Sequence, residues 1–85
     1  MTNISETVIS VVQDTLNSIN SEAQIIGIDD SMQSIASWDS LAFMAVFTAI
    51  NDSFSISPNF DDAIHYISIR SIIEFVSSNV TQNAA

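Results

Sequence analysis

Residues 39–54 have the sequence DSLAFMAVFTAINDSF, which contains the longest apolar stretch of the chain, from Leu41 to Ile50 with Thr48 as its one interruption. Asp39 stands where its carboxylate can accept a hydrogen bond from the free N–H groups of a first helical turn. The pattern predicts a helix from about Ser40 to Ser53. Its inward stripe consists of apolar residues at helical spacing, namely Phe43, Val46, Phe47, Ile50 and Phe54.

Three further apolar residues of this helix, Leu41, Met44 and Ala45, lie off that stripe. A helix that buries one face does not need them for its core. We therefore expect them to form a surface that contacts partner proteins. The inward stripe is primarily core, and a second interpretation is that it also lines a space for a bound cargo.

A first helix is predicted before this segment, at about residues 4–18, because apolar residues repeat there at helical spacing. Asn3 with Glu6 can form a variant of the capping box at its start. Residues 20–39 contain Gly27 and several serines, and a connection of this length within a small domain is often functional. We expect a long loop that is held down by its apolar residues, which are Ile25, Ile26, Ile28, Met32, Ile35 and Trp38.

Two further helices are predicted after this segment. Pro58 and Asn59 mark a break, after which residues 60–66 are long enough for a short third helix. Ser68 can cap a last helix, and residues 81–85 are expected to be a frayed tail. The predicted fold is one all-α domain over residues 1–85, a four-helix bundle with three main antiparallel helices, one short helix and a long first loop.

The composition agrees with a small helical domain and restricts its partners. The 85 residues are 47% hydrophobic with one glycine and one proline, which favours helices over a sheet with many turns. Ten acidic residues face a single cation, Arg70, so the net charge is −9. Nucleic acid is not an expected partner, because its phosphates are bound largely by Lys and Arg. Basic protein surfaces are the expected partners, and the domain itself is expected to be a monomer.

The chain has no cysteine, so any thiol chemistry has to be brought in by another group. Residues 1–12 lack the positive segment and the continuous apolar core of a signal peptide, and a cytoplasmic location is therefore expected. No membrane span is expected either, since the longest apolar stretch is about half of the roughly 20 residues needed.

The sequence SWDSL at residues 37–41 resembles the Gly-x-Asp-Ser-Leu attachment motif of acyl and peptidyl carrier proteins. The features that follow it are also similar to that family. Phe54 lies fourteen residues after Ser40, and Pro58, the acidic pair at residues 61–62 and the apolar repeat of residues 69–76 come in the same order. The resemblance covers essentially the whole chain.

The resemblance implies that Ser40 carries 4′-phosphopantetheine, transferred from coenzyme A by a phosphopantetheinyl transferase, and that acyl groups travel as thioesters on this arm. It also implies that Asp39 helps the transferase to hold Mg²⁺ and that Leu41 anchors the contact with a partner. The other implied partners are acyl-loading and acyl-processing enzymes, and the chain itself would not be an enzyme. A phosphate on a serine in a first helical turn would lie near unpaired N–H groups and the positive end of the helix dipole.

Two departures from the family pattern suggest a specialised pathway, such as polyketide, lipid or other secondary metabolite biosynthesis. The chain has Ser37 where glycine is usual, and its Trp-Asp-Ser-Leu sequence resembles a variant of stand-alone carriers. Fatty-acid carriers have acidic residues along the second helix, whereas the matching positions here include Ala42, Ala45 and Asn51, with only Asp52 retained. We therefore expect partners to contact the apolar residues of this helix and of the first loop more than its charges.

Two other functions remain open from the sequence. An aminoacyl or peptidyl carrier would use the same chemistry at Ser40, and the strong acidity favours an acyl carrier only weakly. A helical docking module would use the apolar side of the second helix, and its function would survive Ser40→Ala.

Other candidate residues have simpler interpretations. Trp38, at a junction between loop and helix, is more often a packing anchor than a contact for a partner or the arm. His65 is expected to be solvated and not part of a triad with Ser40 and Asp39, because a small bundle has little room for a substrate pocket. The acidic pairs at residues 29–30 and 61–62 lack the alternating ligands of a calcium loop, and no metal site is predicted.

Overall fold

The structure, a computed structural model, describes residues 3–20 and 25–84. It contains three α-helices, α1 (Ile4–Ile19), α2 (Ser40–Ser53) and α3 (Ile69–Ala84), and one short 3₁₀ helix, η1 (Phe60–Tyr66). No strand occurs in these two ranges, and one isolated antiparallel bridge joins Ser31 to Ser68. The predicted all-α fold with four helices is confirmed.

The predicted bounds of α2 and η1 agree with the structure, and the prediction for the end of the last helix needs correction. The backbone of α3 is helical through Ala84, so residues 81–84 are not the predicted frayed tail, and Ala85 lies outside the described residues. The short third helix is a 3₁₀ helix, a form that is common in short pieces between longer helices.

Side chains cap the starts of the three α-helices. The Asn3 side chain accepts from Ser5 N at 2.8 Å, and Ser68 Oγ accepts from Ser71 N at 3.2 Å. Asn3 is therefore the predicted cap of α1, although no reciprocal bond from Glu6 completes a capping box in the described part of the chain. These caps satisfy N–H groups that have no acceptor within the helix itself.

A single core joins the helices. α1 packs against both α2 and α3, and η1 packs against α2 and α3. The largest fully buried side chains come from every helix and from the loop before α2: Trp38, Tyr66, Leu16, Ile50, Ile69, Ile72, Val8, Val12, Val46 and Val76. Burial of side chains of this size contributes about 1.5–3 kcal/mol each before the entropy of ordering is subtracted.

The loop before α2 is attached to the bundle along its described length, residues 25–39. Ile26 N donates to the side chain of Gln13 at 2.8 Å, and Met32 N donates to Ile67 O at 3.0 Å. Ile35 is buried as well, and Ile69 N donates to the backbone oxygen of Asp30. The prediction of a loop held down by its apolar residues is confirmed for Ile26, Ile35 and Trp38, which are buried. It is wrong for Ile25 and Ile28, which are 91% and 40% exposed.

Two residues of α2 have a different environment from the one that the sequence suggested. Ala42 is 0% exposed and Asn51 is 3% exposed. In the resemblance to fatty-acid carriers, both positions correspond to acidic residues of the second helix that contact partners. Buried positions cannot contact a partner in this conformation, so their lack of charge says nothing about docking.

Candidate functional site at the start of α2

Ser40 is the first residue of α2, and its side chain is exposed. The carboxylate of Asp39 accepts a hydrogen bond from Ala42 N at 3.0 Å, and the backbone oxygen of Asp39 accepts from Phe43 N at 2.8 Å. The predicted cap is thereby confirmed. The N–H groups of the first helical turn point towards this end, so a negative group on Ser40 would lie in a favourable field.

The segment before Ser40 is a series of turns closed by local hydrogen bonds. Ile35 N donates to Ser31 O at 3.0 Å, and Trp38 N donates to Ile35 O at 3.1 Å. Trp38 is only 1% exposed. These contacts attach the backbone two residues before Ser40 to the core, and they hold the serine at an exposed but well-defined place.

Trp38 is a packing residue and not a partner contact. Its indole is enclosed by the bundle, so the interpretation of Trp38 as a partner-binding residue is wrong for this conformation, and the packing interpretation is correct. Its Nε1, like the Oγ of Ser37, is buried without a hydrogen-bond partner in the described structure. A tryptophan this large stabilises the junction through its buried apolar area.

The outward side of α2 carries a mostly apolar stripe next to Ser40. Leu41 is 72% exposed and Met44 is 43% exposed, and Ala45 is half-buried beside them. Further along the same side come the exposed Thr48 and Asp52, at spacings that place them on one helix face. Asp52 is the single charged residue of this stripe. The structure therefore places the three predicted docking residues together, with Ala45 the least accessible.

The other end of α2 contains a polar pair that sequence reasoning missed. The Tyr66 hydroxyl donates to Oδ1 of Asn51 at 2.5 Å, and both residues are buried. Burial and, to a lesser extent, the nearby charge of Asp62 together raise the pKa of Tyr66 to about 12. A possible sequence signal was an amide residue close to the predicted inward stripe of α2, which needs a partner if it is buried.

The other candidate residues, His65 and the acidic pair at residues 29–30, make their contacts with residues other than Ser40. The ring of His65 stacks on Phe75 of α3, with centroids 5.0 Å apart, and no hydrogen bond joins it to Ser40 or Asp39 in the residues described. The acidic pair at residues 29–30 is structural: Asp29 pairs with Arg70 at 2.6 Å. Asp30 accepts from Gly27 N at 2.7 Å.

The described residues contain neither a metal-binding cluster nor a membrane-spanning helix. No group of three or more His, Cys, Asp or Glu side chains in the described ranges is arranged to hold a metal ion. None of the helices described here is long and apolar enough to cross a membrane.

Comparison of the chain with models of protein families, with curated proteins and with solved structures finds no match.

Proposed function

We propose that this protein is an acyl carrier protein whose Ser40 bears 4′-phosphopantetheine. The observation that carries the proposal is the place of Ser40: an exposed serine at the first position of α2, behind an Asp39 cap and within the carrier-like sequence SWDSL. In loading, the Oγ of Ser40 forms a bond to the phosphorus of the pantetheine phosphate as the diphosphate bond of coenzyme A breaks. The nucleotide part of coenzyme A leaves, and the hydroxyl proton passes to a base of the transferase.

The residues near Ser40 fit such a group. The serine hydroxyl is accessible to a transferase, and the first turn of α2 offers N–H groups without intrahelical acceptors to a phosphate. The chain has no cysteine of its own. The arm supplies the thiol on which an acyl group is carried as a thioester, and the protein supplies the attachment point and the surface that partners contact.

Asp39 has two roles in this proposal. Its Oδ1 caps α2 through Ala42 N, and its carboxylate also helps the transferase to hold Mg²⁺ during loading. Leu41, 72% exposed immediately after the attachment residue, anchors the contact with partner enzymes. The partners are a phosphopantetheinyl transferase and the enzymes that load and process the acyl group, in the cytoplasm.

The outward stripe of α2 supports a specialised biosynthetic pathway. Its exposed members include Leu41 and Met44 but only one acidic residue, Asp52. Contacts with partners through this stripe therefore depend on shape and apolar burial more than on charge. Enzymes of general fatty-acid synthesis that select acidic carriers would bind it poorly.

The test is the intact mass of the protein before and after incubation with coenzyme A, Mg²⁺ and a phosphopantetheinyl transferase of broad specificity. We expect a gain of one phosphopantetheine that is lost completely in Ser40→Ala. Ser53→Ala, which changes an exposed serine at the other end of α2, is the matched control and should load like the wild type. Equal loading of Ser40→Ala would contradict attachment at Ser40 and assign it to another residue. No loading of the wild type with several transferases would contradict the carrier role and favour a docking module.

The loaded protein then tests the pathway in a second stage. Offered to the loading and elongation enzymes of general fatty-acid synthesis, it should turn over slowly compared with their own carrier. Efficient turnover would refute the specialised pathway without affecting the carrier role. Loading with an amino acid by a cognate ligase would instead indicate an aminoacyl or peptidyl carrier.

A further inference from the structure

Asn51 is the one buried residue of the polar and charged classes in the described part of the chain. Its Oδ1 accepts from the Tyr66 hydroxyl, whereas its Nδ2 is buried without a hydrogen-bond partner there. A buried amide donor that has no acceptor loses the hydrogen bonds it would make with water. The packed position of η1 over Asn51 therefore includes an unfavourable contribution that exposure to water would remove.

The helix η1 is attached to the bundle mainly through one residue. Of its seven residues only Tyr66 is buried, with its ring 4.8 Å from that of Phe47 and 5.4 Å from that of Phe75. Phe60 stacks on Phe47 at 5.5 Å but is 72% exposed, and Ile64 is 69% exposed. Ala63 is partly buried against the core, and the exposed His65 stacks on Phe75 at 5.0 Å. Because exposed and partly exposed side chains gain less from the hydrophobic effect, the full burial of Tyr66 is the largest single attachment.

The chain on both sides of η1 is held independently of it. Before η1, Ile56 N donates to Asn51 O at 2.8 Å. After it, Ile67 O accepts from Met32 N at 3.0 Å. α1 makes no contact with η1 within the described ranges. Residues 57–66 can therefore leave the bundle without disturbing these two attachments or the packing of α1.

We infer that residues 57–66 form a lid that opens as a unit while α1, α2 and α3 stay folded, and that the Asn51–Tyr66 pair sets how often it opens. Opening loses the burial of Tyr66, but it gives water to both polar atoms of Asn51. Local openings of this kind are characteristic of elements with few buried contacts.

Opening of the lid uncovers Phe47, which is otherwise only 3% exposed. Phe47 lies seven residues after Ser40, two turns further along the same side of α2. The lid thus controls access to apolar surface on the side of the helix where Ser40 lies. The inference does not depend on the carrier role, because it concerns only contacts within the polypeptide.

The test is hydrogen exchange of the unmodified wild-type protein at increasing denaturant below the unfolding transition. The amides of η1, including that of Asp62 bonded to Asn59 O, should exchange through an opening whose free energy changes little with denaturant concentration. Amides in the middle of α1 should require global unfolding. Val12→Ala is the matched control, because it weakens the core at a residue of α1: it should speed exchange in α1 and leave η1 unchanged.

Two variants at the pair complete the test. Tyr66→Phe leaves both polar groups of Asn51 buried without partners and should raise the open population by about tenfold or more. Asn51→Leu combined with Tyr66→Phe removes every polar atom of the pair and should open less often than Tyr66→Phe alone. The inference is overturned if wild-type η1 amides show the same opening free energy and denaturant dependence as α1, or if the double variant opens as often as Tyr66→Phe. The wild-type series decides the first point even if a variant does not fold.

Discussion

The two ends of α2 are completed in different ways. At the first end, Asp39 caps the helix through Ala42 N, three residues away, and Ser40 remains exposed. At the second end, Ile56 N donates to Asn51 O and Ser55 N donates to Asp52 O. These are the two hydrogen bonds of a Schellman motif. Ser55 adopts a positive φ of 56° there, a conformation that usually belongs to glycine.

The two ends differ in how far along the chain the hydrogen-bond partners of their side chains lie. The first end is complete with residues 39–43 alone. The backbone bonds of the second end are local as well, but the side chain of Asn51 there takes its partner from Tyr66, fifteen residues further on. Its amide nitrogen has no partner in the described structure, and Ser55 has a positive φ. The cap at the end proposed for covalent attachment is thus determined locally, whereas Asn51 beneath η1 takes its partner from a distant residue. Buried polar atoms without a hydrogen-bond partner occur near both ends, at Ser37 and Trp38 before α2 and at Asn51 beneath η1.

Stability at high pH tests the second end and has the largest expected effect. Burial raises the pKa of Tyr66 to about 12, above its ordinary value of about 10 in an unfolded chain. A raised folded-state pKa means that this contribution is fully present below pH about 10 and is lost as the pH rises towards about 12. We expect the free energy of unfolding, from denaturant melts, to fall by about 2–3 kcal/mol across this range.

The composition makes this measurement clean. The chain has no lysine and no cysteine and only one tyrosine, so Tyr66 is the group that titrates between pH about 10 and 12. Tyr66→Phe is the control and should show a flat profile in the same range. An equal fall in Tyr66→Phe would assign the effect to something other than this hydroxyl.

Substitutions at Asp39 test the first end and should have a smaller effect. Asp39→Ala removes the acceptor for Ala42 N and should lower the free energy of unfolding by about 1 kcal/mol. Asp39→Asn keeps an equivalent cap and should change stability by less than about 0.5 kcal/mol. Under the proposed function both variants should load phosphopantetheine more slowly, because both lack the carboxylate. Normal loading of Asp39→Asn would confine Asp39 to capping.

The smallest expected effect is at Ser55. Ser55→Gly removes the side chain that disfavours a positive φ and should raise the free energy of unfolding by about 0.5–1 kcal/mol. Ser53→Gly, two residues earlier and still helical, is the matched control and should be destabilising because glycine is a poor helix former. A loss of stability in Ser55→Gly, or an equal gain in Ser53→Gly, would show that the positive φ of Ser55 does not limit the stability of the protein.

Much of the helical framework was predictable because its causes are local. The bounds of α2 followed from the apolar repeat between Asp39 and Phe54, and the caps at Asn3, Asp39 and Ser68 are bonds between residues two or three positions apart. The place of Ser40 at the start of a helix was predictable for the same reason. Its attachment chemistry stays a prediction until the loading experiment is done.

Other features could not be predicted because they depend on which distant segments meet. Trp38 had two interpretations, and its burial follows from the packing of the loop against the bundle. The pairing of Asp29 with Arg70 joins residues 41 positions apart. The sequence indicated only that the acidic pair at residues 29–30 is not a calcium loop, and the fold shows that Asp30 accepts a hydrogen bond from Gly27 N.

The sequence by itself determined where the helices begin and where α2 and η1 end, that the domain is acidic and without a thiol, and that Ser40 is the first residue of α2. Helical periodicity and side-chain caps act within a few residues, so they are present in the sequence before any tertiary contact forms. Only the tertiary structure decided that Ala42 and Asn51 are buried and that Tyr66 reaches Asn51. The exposure of Leu41 and Met44 was expected from their positions off the inward stripe. Burial is a property of the surfaces that pack together, and helical spacing alone does not specify those surfaces at the edge of a stripe.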